Sequence, residues 1–195
     1  MRVIVYFSKI LILGAISLPL AAQTLRVDFN ENATTQNGWQ SLSSGNSDLG
    51  DSWSKNFSGG VSLDVDAIGS VTLDNRDRSN NGGGGEASMW RDFLFAGGSF
   101  SSRPGSGLRL DFTGLQPNTE YPIKIWGYDA SSTGGRAADW SGGGSEVQRL
   151  TFTSRPVTLA DNVITLNVVT NSAGAVTLRG IVSRASPSSS HNVFI

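Results

Sequence analysis

Apolar and polar residues alternate most regularly in the stretch 108–129, LRLDFTGLQPNTEYPIKIWGYD. Every second residue is apolar over 108–113 and again over 121–126, which is the period-two pattern of half-buried strands. Between the two runs lie Pro117 and Asn118, residue types that favour turns. The stretch therefore predicts two consecutive antiparallel strands of a β-sandwich.

The same alternation recurs along most of the chain. Further strands are predicted over residues 24–29, 61–65, 71–73, 147–153, 157–159, 163–169 and 175–182. A spacing of about ten residues between the later runs is typical of sandwich folds. No stretch carries the pattern of an amphipathic helix of usable length. The predicted fold class is all-β, an antiparallel β-sandwich of jelly-roll type.

Polar, glycine-rich segments separate these strands. Residues 30–58, 75–88, 97–107 and 130–145 are predicted as irregular stretches or loops. Residues 89–95 fit either a short strand or one helical turn, and the pattern does not decide between them.

The first 22 residues form a separate region. Arg2 and Lys9 precede the apolar run 10–20, and the small residues Ala21 and Ala22 follow. This order predicts a secretory signal peptide over 1–22, cleaved after Ala22 or one residue later, because the run is short for a bilayer span. A membrane anchor at the N-terminus is the alternative. We expect the mature protein to be secreted, periplasmic or on the cell surface, without stable insertion in a membrane.

The remaining chain is predicted as one β-sandwich domain over 24–183, followed by a polar tail over 184–195 that ends in the start of a possible last strand. Cysteine is absent, so a packed core has to stabilise the fold without disulfides. Without Arg2 and Lys9, 13 of the 15 basic residues remain against 16 acidic ones. This balance argues against nucleic acid as a partner, because phosphate binding needs a surplus of positive charge.

Aromatic and charged residues are concentrated in the predicted loops. Sugars present an apolar ring face and a rim of hydroxyls, so an aromatic ring beside Arg and Asp suits them. The candidate ligand-binding residues are Trp140, Tyr128, Arg136, Trp90, Arg91 and Asp129. Trp140 is the preferred platform because it falls in a polar loop. Packing in the core is the alternative for each tryptophan.

Two loops have the oxygen spacing of a cation site. Asp77 and Asn81 in one loop and Asp129 in the other are the weak candidates for ligands of Ca²⁺. The twelfth positions of both loops hold Ser88 and Trp140, which cannot supply the bidentate carboxylate that calcium prefers. Turns capped by Asp or Asn side chains are the alternative.

Catalysis has little support in the residue inventory. His191 is the only histidine and lies in the polar tail, which argues against a Ser-His-Asp arrangement or a histidine metal site. A pair of carboxylates at the separation used by glycosidases stays open, because spacing along the chain does not give distance in space.

The segment GLQPNTEY resembles a corner of fibronectin type III domains, with Leu115, Pro117, Thr119 and Tyr121 at the matching positions. That resemblance implies a tyrosine hydroxyl that ties the turn to the sheet. From the opening strand RVDFN to the closing segment GIVSRASPSSSHNVFI, most of the mature chain resembles the galactose-binding-like jelly-roll domains of secreted bacterial proteins. This second resemblance implies neighbouring first and last strands and carbohydrate binding.

Three functional hypotheses follow. The first is a secreted, non-catalytic carbohydrate-binding module for a polysaccharide or surface glycan. The second is a structural or adhesive module of a cell surface, and the third is a glycan-cleaving enzyme.

Overall fold

The structure is a computed structural model of the chain. It describes residues 2–6, 24–30, 35–43, 52–69, 72–77, 90–96, 105–129, 136–152, 155–183 and 193–194. The strands, in chain order, are β1 (Arg2–Tyr6), β2 (Thr24–Asn30), β3 (Gln40–Ser43), β4 (Ser52–Asn56), β5 (Ser62–Ile68), β6 (Leu73–Asp77), β7 (Asp92–Ala96), β8 (Gly107–Thr113), β9 (Glu120–Trp126), β10 (Arg136–Gly142), β11 (Gln148–Phe152), β12 (Val163–Val169), β13 (Val176–Val182) and β14 (Val193–Phe194). Within these ranges no α-helix occurs, so none is present that is long and apolar enough to cross a membrane. The predicted all-β class is confirmed.

The strands form three sheets. The first sheet has the order β12-β9-β1-β2-β3, the second β11-β10-β13-β8-β5-β4, and the third β14-β7-β6. Neighbouring strands are antiparallel except for β2 and β3, which are parallel. The arrangement is a β-sandwich, as the alternating pattern predicts.

Buried side chains of all three sheets build the hydrophobic core. Leu108, Leu110 and Phe112 of β8 are fully buried, whereas Arg109, between the first two in the alternation, is exposed. Burial thus alternates along the strand with the same period of two as hydrophobicity, since successive side chains of a strand point to opposite faces.

The strands β8 and β9 do not pair with each other. β8 lies between β5 and β13 in the second sheet, and β9 lies between β12 and β1 in the first. The two predicted strands are therefore present and consecutive along the chain, but they lie in different sheets of the sandwich. Their connection crosses the end of the sandwich, where the Gln116 backbone N–H donates to the Tyr121 hydroxyl oxygen at 2.9 Å.

The N-terminal residues take part in the first sheet. β1 is antiparallel to β2 on one side and to β9 on the other. Val3 is fully buried and Ile4 is 4% exposed. Residues 7–23, which contain most of the predicted signal peptide, lie outside the described residues, and cleavage stays a prediction.

Several predicted loops contain strands. Residues 136–142 form β10, and β3 and β4 lie within the predicted irregular stretch 30–58. Residues 92–96 form β7, so the choice between a strand and a helical turn is settled for this segment. Residues 157–159, predicted as a strand, lie instead in a turn before β12. The strand at 136–142 was not predicted because the glycine and serine residues around it interrupt the alternation of apolar and polar positions.

Candidate functional site

Trp140 is a core residue. It lies in β10 directly opposite Gly180 of β13, and its side chain is fully buried. A methyl group on Gly180 would come within 2.4 Å of the indole ring, so the ring lies against bare glycine backbone. The prediction that Trp140 projects from a polar loop as a binding platform is wrong, because cross-strand packing on glycine seals its ring inside.

Trp90 and Arg91 are also engaged in packing and pairing. Trp90 is 2% exposed, so it offers no open ring face. Arg91 donates from Nε to Asp77 Oδ1 at 2.7 Å, and its Nη2 contacts Asp77 Oδ2. Such a bidentate pair orients both side chains and joins β6 to the residues that precede β7. Neither predicted ligand-binding role gains support from this geometry.

The weak calcium candidates are not assembled into a site in the described part of the chain. The Asp77 carboxylate is held by Arg91, and Asp129 is 4% exposed. Asn81 falls outside the described residues. No group of three or more His, Cys, Asp or Glu side chains placed to hold a metal occurs among the residues that the structure covers.

A different region unites the remaining candidates. At the C-terminal end of β9 the chain passes through Tyr128 and Asp129 and meets the residues that follow β11. We call this region the Tyr128 edge. Its members are Trp39, Trp126, Tyr128, Asp129, Phe152 and Arg155.

Tyr128 bridges the two large sheets at this edge. Its half-buried ring packs edge-on against Phe152 of β11, with the ring centroids 5.9 Å apart and an interplanar angle of 69°. Edge-to-face contact of this kind favours a fixed ring orientation. Because β9 belongs to the first sheet and β11 to the second, the contact closes the end of the sandwich while part of the tyrosine stays exposed.

The turn that covers this edge is held by Asp161. Its Oδ2 accepts hydrogen bonds from the backbone N–H groups of Val157 and Thr158 at 2.9 and 2.8 Å. These donors lower the pKa of Asp161. The same turn leaves Val157 68% and Leu159 39% exposed, so apolar surface lies beside the edge.

A second aromatic pair of the Tyr128 edge, Trp126 and Trp39, lies on the outer side of the first sheet. Trp126 is buried and donates from Nε1 to the Leu159 carbonyl at 3.0 Å. The half-buried Trp39 packs on it edge-on, with 6.0 Å between the ring centroids. The guanidinium carbon of Arg26 lies 5.9 Å from the centroid of Trp39, a cation–π distance.

Charged groups surround Tyr128. Burial raises the pKa of its hydroxyl above the ordinary value, the positive charge of Arg155 opposes that shift, and the negative charge of Asp129 adds to it. The tyrosine is therefore a neutral hydrogen-bonding group at physiological pH. An aromatic ring, a hydroxyl, a cation and a carboxylate thus occur within one short edge.

The structure brings together half of the predicted set. Tyr128 and Asp129 lie at the edge, and Arg136 begins β10 directly opposite Phe152 in the strand register. Trp140, near the other end of β10, and the pair Trp90 and Arg91 are separate from it.

The sequence reasoning missed Trp39, Phe152 and Arg155. Trp39 falls in a segment predicted as irregular, and Arg155 directly precedes a proline. The turn-forming residues of 155–162 could have pointed to Arg155. They predict a turn at the end of a strand, and such turns lie at the sheet edges where binding sites form.

The outer face of the second sheet is a second polar surface. We call it the charged face; its members are Asp64, Asp66, Arg109, Asp111, Asp139 and Arg149. Arg109 donates to Asp66 at 2.6 Å and to Asp111 at 2.7 Å. Arg149 donates to Asp139 at 2.7 Å. The pairs of Arg109 with Asp66 and of Arg149 with Asp139 connect neighbouring strands, and the pair of Arg109 with Asp111 lies within β8. No aromatic ring interrupts them on this face in the described strands.

Comparison with known proteins gives no relative. No protein-family model, no curated protein and no solved structure matches this chain. Functional inference therefore rests on the Tyr128 edge and the charged face themselves.

Proposed function

We propose that this chain is an exported, non-catalytic carbohydrate-binding module and that the Tyr128 edge contacts the polysaccharide. The observation that carries the proposal is the half-buried side chain of Tyr128, whose ring packs on Phe152 and whose charged neighbours include the exposed Arg155. A sugar ring stacks its apolar face on an aromatic ring and directs its hydroxyls to charged neighbours.

The surroundings of this ring support the proposal. Val157 and Leu159 add apolar surface, and the Asp161 bonds hold their turn in place. A binding surface that is ordered before the ligand arrives loses less conformational freedom on binding. Trp39 beside Arg26 extends the aromatic surface toward the outer side of the first sheet.

The first experiment identifies the ligand class. The purified chain is applied to a glycan array and run through native gels that contain soluble polysaccharides. We expect at least one glycan to retard the chain. Hydrogen–deuterium exchange with that glycan is expected to protect residues 127–129 and 155–162 more than β8 and β13.

Two results would contradict the proposal. One is a chain that binds no glycan on the array and migrates freely in every gel. The other is a glycan-dependent protection confined to the charged face, which would place recognition elsewhere on the molecule.

The second candidate is an adhesive or structural surface module, and the charged face is the observation that favours it. Paired Asp and Arg side chains on β5, β8, β10 and β11 form an ordered polar surface of the kind that meets a charged protein partner. In that case attachment to cell surfaces weakens with added salt and with Arg109→Gln, and Tyr128→Ala leaves it unchanged.

Glycan cleavage receives less support. Asp64 and Asp111 are direct cross-strand partners, but they belong to the charged face rather than a cleft. Asp111 is further engaged by Arg109 and by the Thr177 hydroxyl, so it serves as an acceptor within the sheet surface.

A further inference from the structure

The place of β1 in the first sheet carries an inference that is independent of sugar binding. β1 is paired over five residues with β2 and over three residues with β9. It is thus an interior strand, although it comes from the region that the sequence predicts to be removed on export.

The two neighbours of β1 cannot simply close the gap that its loss would leave. Both are antiparallel to β1, so β2 and β9 run parallel to each other. Their direct pairing would require a different hydrogen-bond pattern and a shift of one strand spacing, about 4.8 Å. β2 is also tied to β3 and β9 to β12, which oppose such a shift. Without β1 the sheet would hold a slot with unpaired backbone groups on both sides.

The residues of β2 and β9 that line this slot determine which strand can occupy it. Val3 lies opposite Val27 and Ile125, and all three side chains are fully buried, so the inward position requires an apolar residue. Ile4 lies opposite Arg26 on one side and Lys124 on the other. Successive side chains alternate between faces, so Ile4 takes the outward position beside these two residues. Ile4 is itself only 4% exposed, so this position also requires an apolar residue.

We propose that the slot between β2 and β9 is a strand-binding site. Its ligand is an extended segment that enters antiparallel to both strands, with β-branched apolar residues both at the inward position of Val3 and at the outward position of Ile4. The chain's own residues 2–6 occupy it here, and removal of the leader opens it to a partner strand of the same chemistry. Backbone pairing supplies affinity and the side-chain positions supply selectivity, as in strand addition generally.

The test uses the full chain, folded before any cut. A recognition sequence for a site-specific protease is inserted between Ala21 and Ala22, and the purified protein is cleaved. A fluorescent peptide with the sequence of residues 2–9 is then added in excess, and its uptake is followed by anisotropy together with release of the N-terminal fragment. We expect one labelled peptide to replace one fragment.

Matched peptides test the two positions separately. The Val3→Asp peptide should bind on the order of 100-fold more weakly, because it buries an unpaired carboxylate. The Ile4→Lys peptide should bind roughly fivefold more weakly than the Ile4→Glu peptide, because its charge repels its two neighbours.

Three outcomes would overturn the proposal. The fragment could leave after cleavage while the rest of the chain keeps its strand content and takes up no peptide. The fragment could stay bound and resist excess peptide even in partly denaturing urea. The Val3→Asp peptide could bind as well as the parent, which would show that no register-specific slot exists.

Discussion

Trp140 lies directly opposite Gly180 in the neighbouring strand, and its indole ring occupies the space that a side chain on Gly180 would need. Gly180→Ala would place a methyl carbon 2.4 Å from that ring. We expect this substitution to lower the free energy of unfolding by about 1–3 kcal/mol, the usual cost of overpacking a core. Urea denaturation followed by tryptophan fluorescence and circular dichroism measures the change.

A double-mutant cycle tests whether the Trp140 ring is the cause of the stability loss expected for Gly180→Ala. In a Trp140→Leu background the obstacle is smaller, so Gly180→Ala should cost less than it does in the natural sequence. An equal cost in both backgrounds would show that the glycine is needed for a reason other than the tryptophan.

The Tyr121 hydroxyl of β9 accepts a hydrogen bond from the Gln116 N–H at 2.9 Å. This bond ties β9 to the connection that leads from β8 in the other sheet. Tyr121→Phe removes the acceptor and keeps the ring, so the free energy of unfolding should fall by about 1 kcal/mol. Tyr128→Phe is the matched control, because the ring contact of Tyr128 with Phe152 does not involve its hydroxyl. Equal stability of the Tyr121→Phe variant and the natural protein would contradict a structural role for this bond.

The pair of Asp139 and Arg149 makes part of the stability depend on pH. The hydrogen bond from Arg149 lowers the pKa of Asp139, although burial opposes the shift. The folded state therefore binds its proton less readily than the unfolded state, whose aspartate pKa is about 3.9. The contribution is fully present above that value and is lost as the pH falls through the lower pKa of the folded state.

We expect Asp139→Asn to be less stable than the natural protein at neutral pH, by a small amount because the pair is largely exposed. The two proteins should converge in acid. Urea midpoints measured from neutral pH downward test this, and a difference that grows toward acid would contradict the assigned sign.

Local pattern was sufficient to predict many individual strands. The alternation over 163–169 corresponds to β12 residue for residue, and the alternation over 121–126 corresponds to β9 within one residue. The neighbours of β8 and β9 in their sheets could not be predicted, because strand partners are chosen by contacts with residues far away in the sequence. β8 pairs with β13, more than sixty positions later.

The errors at the candidate site have the same origin. Trp140 has polar neighbours in sequence, and only the position of Gly180, forty residues later, determines that its ring is buried. Tyr128 and Asp129 were identifiable because they directly follow a well-patterned strand, where chain ends meet the surface. Trp39 and Arg155 lie in irregular segments, whose placement depends on Trp126 and Tyr128 rather than on their own neighbours.

The central claim is that sugar recognition depends on the partly exposed side chain of Tyr128. The most direct measurement is affinity electrophoresis, in gels containing the polysaccharide found on the array, of the natural chain, Tyr128→Ala and the control Val169→Ala. Val169 is 52% exposed and lies at the far end of β12 from the residue that pairs with Trp126. We expect Tyr128→Ala to weaken retention roughly tenfold, which corresponds to one lost aromatic contact, while Val169→Ala is retained like the natural chain. Equal retention of all three proteins would contradict the claim.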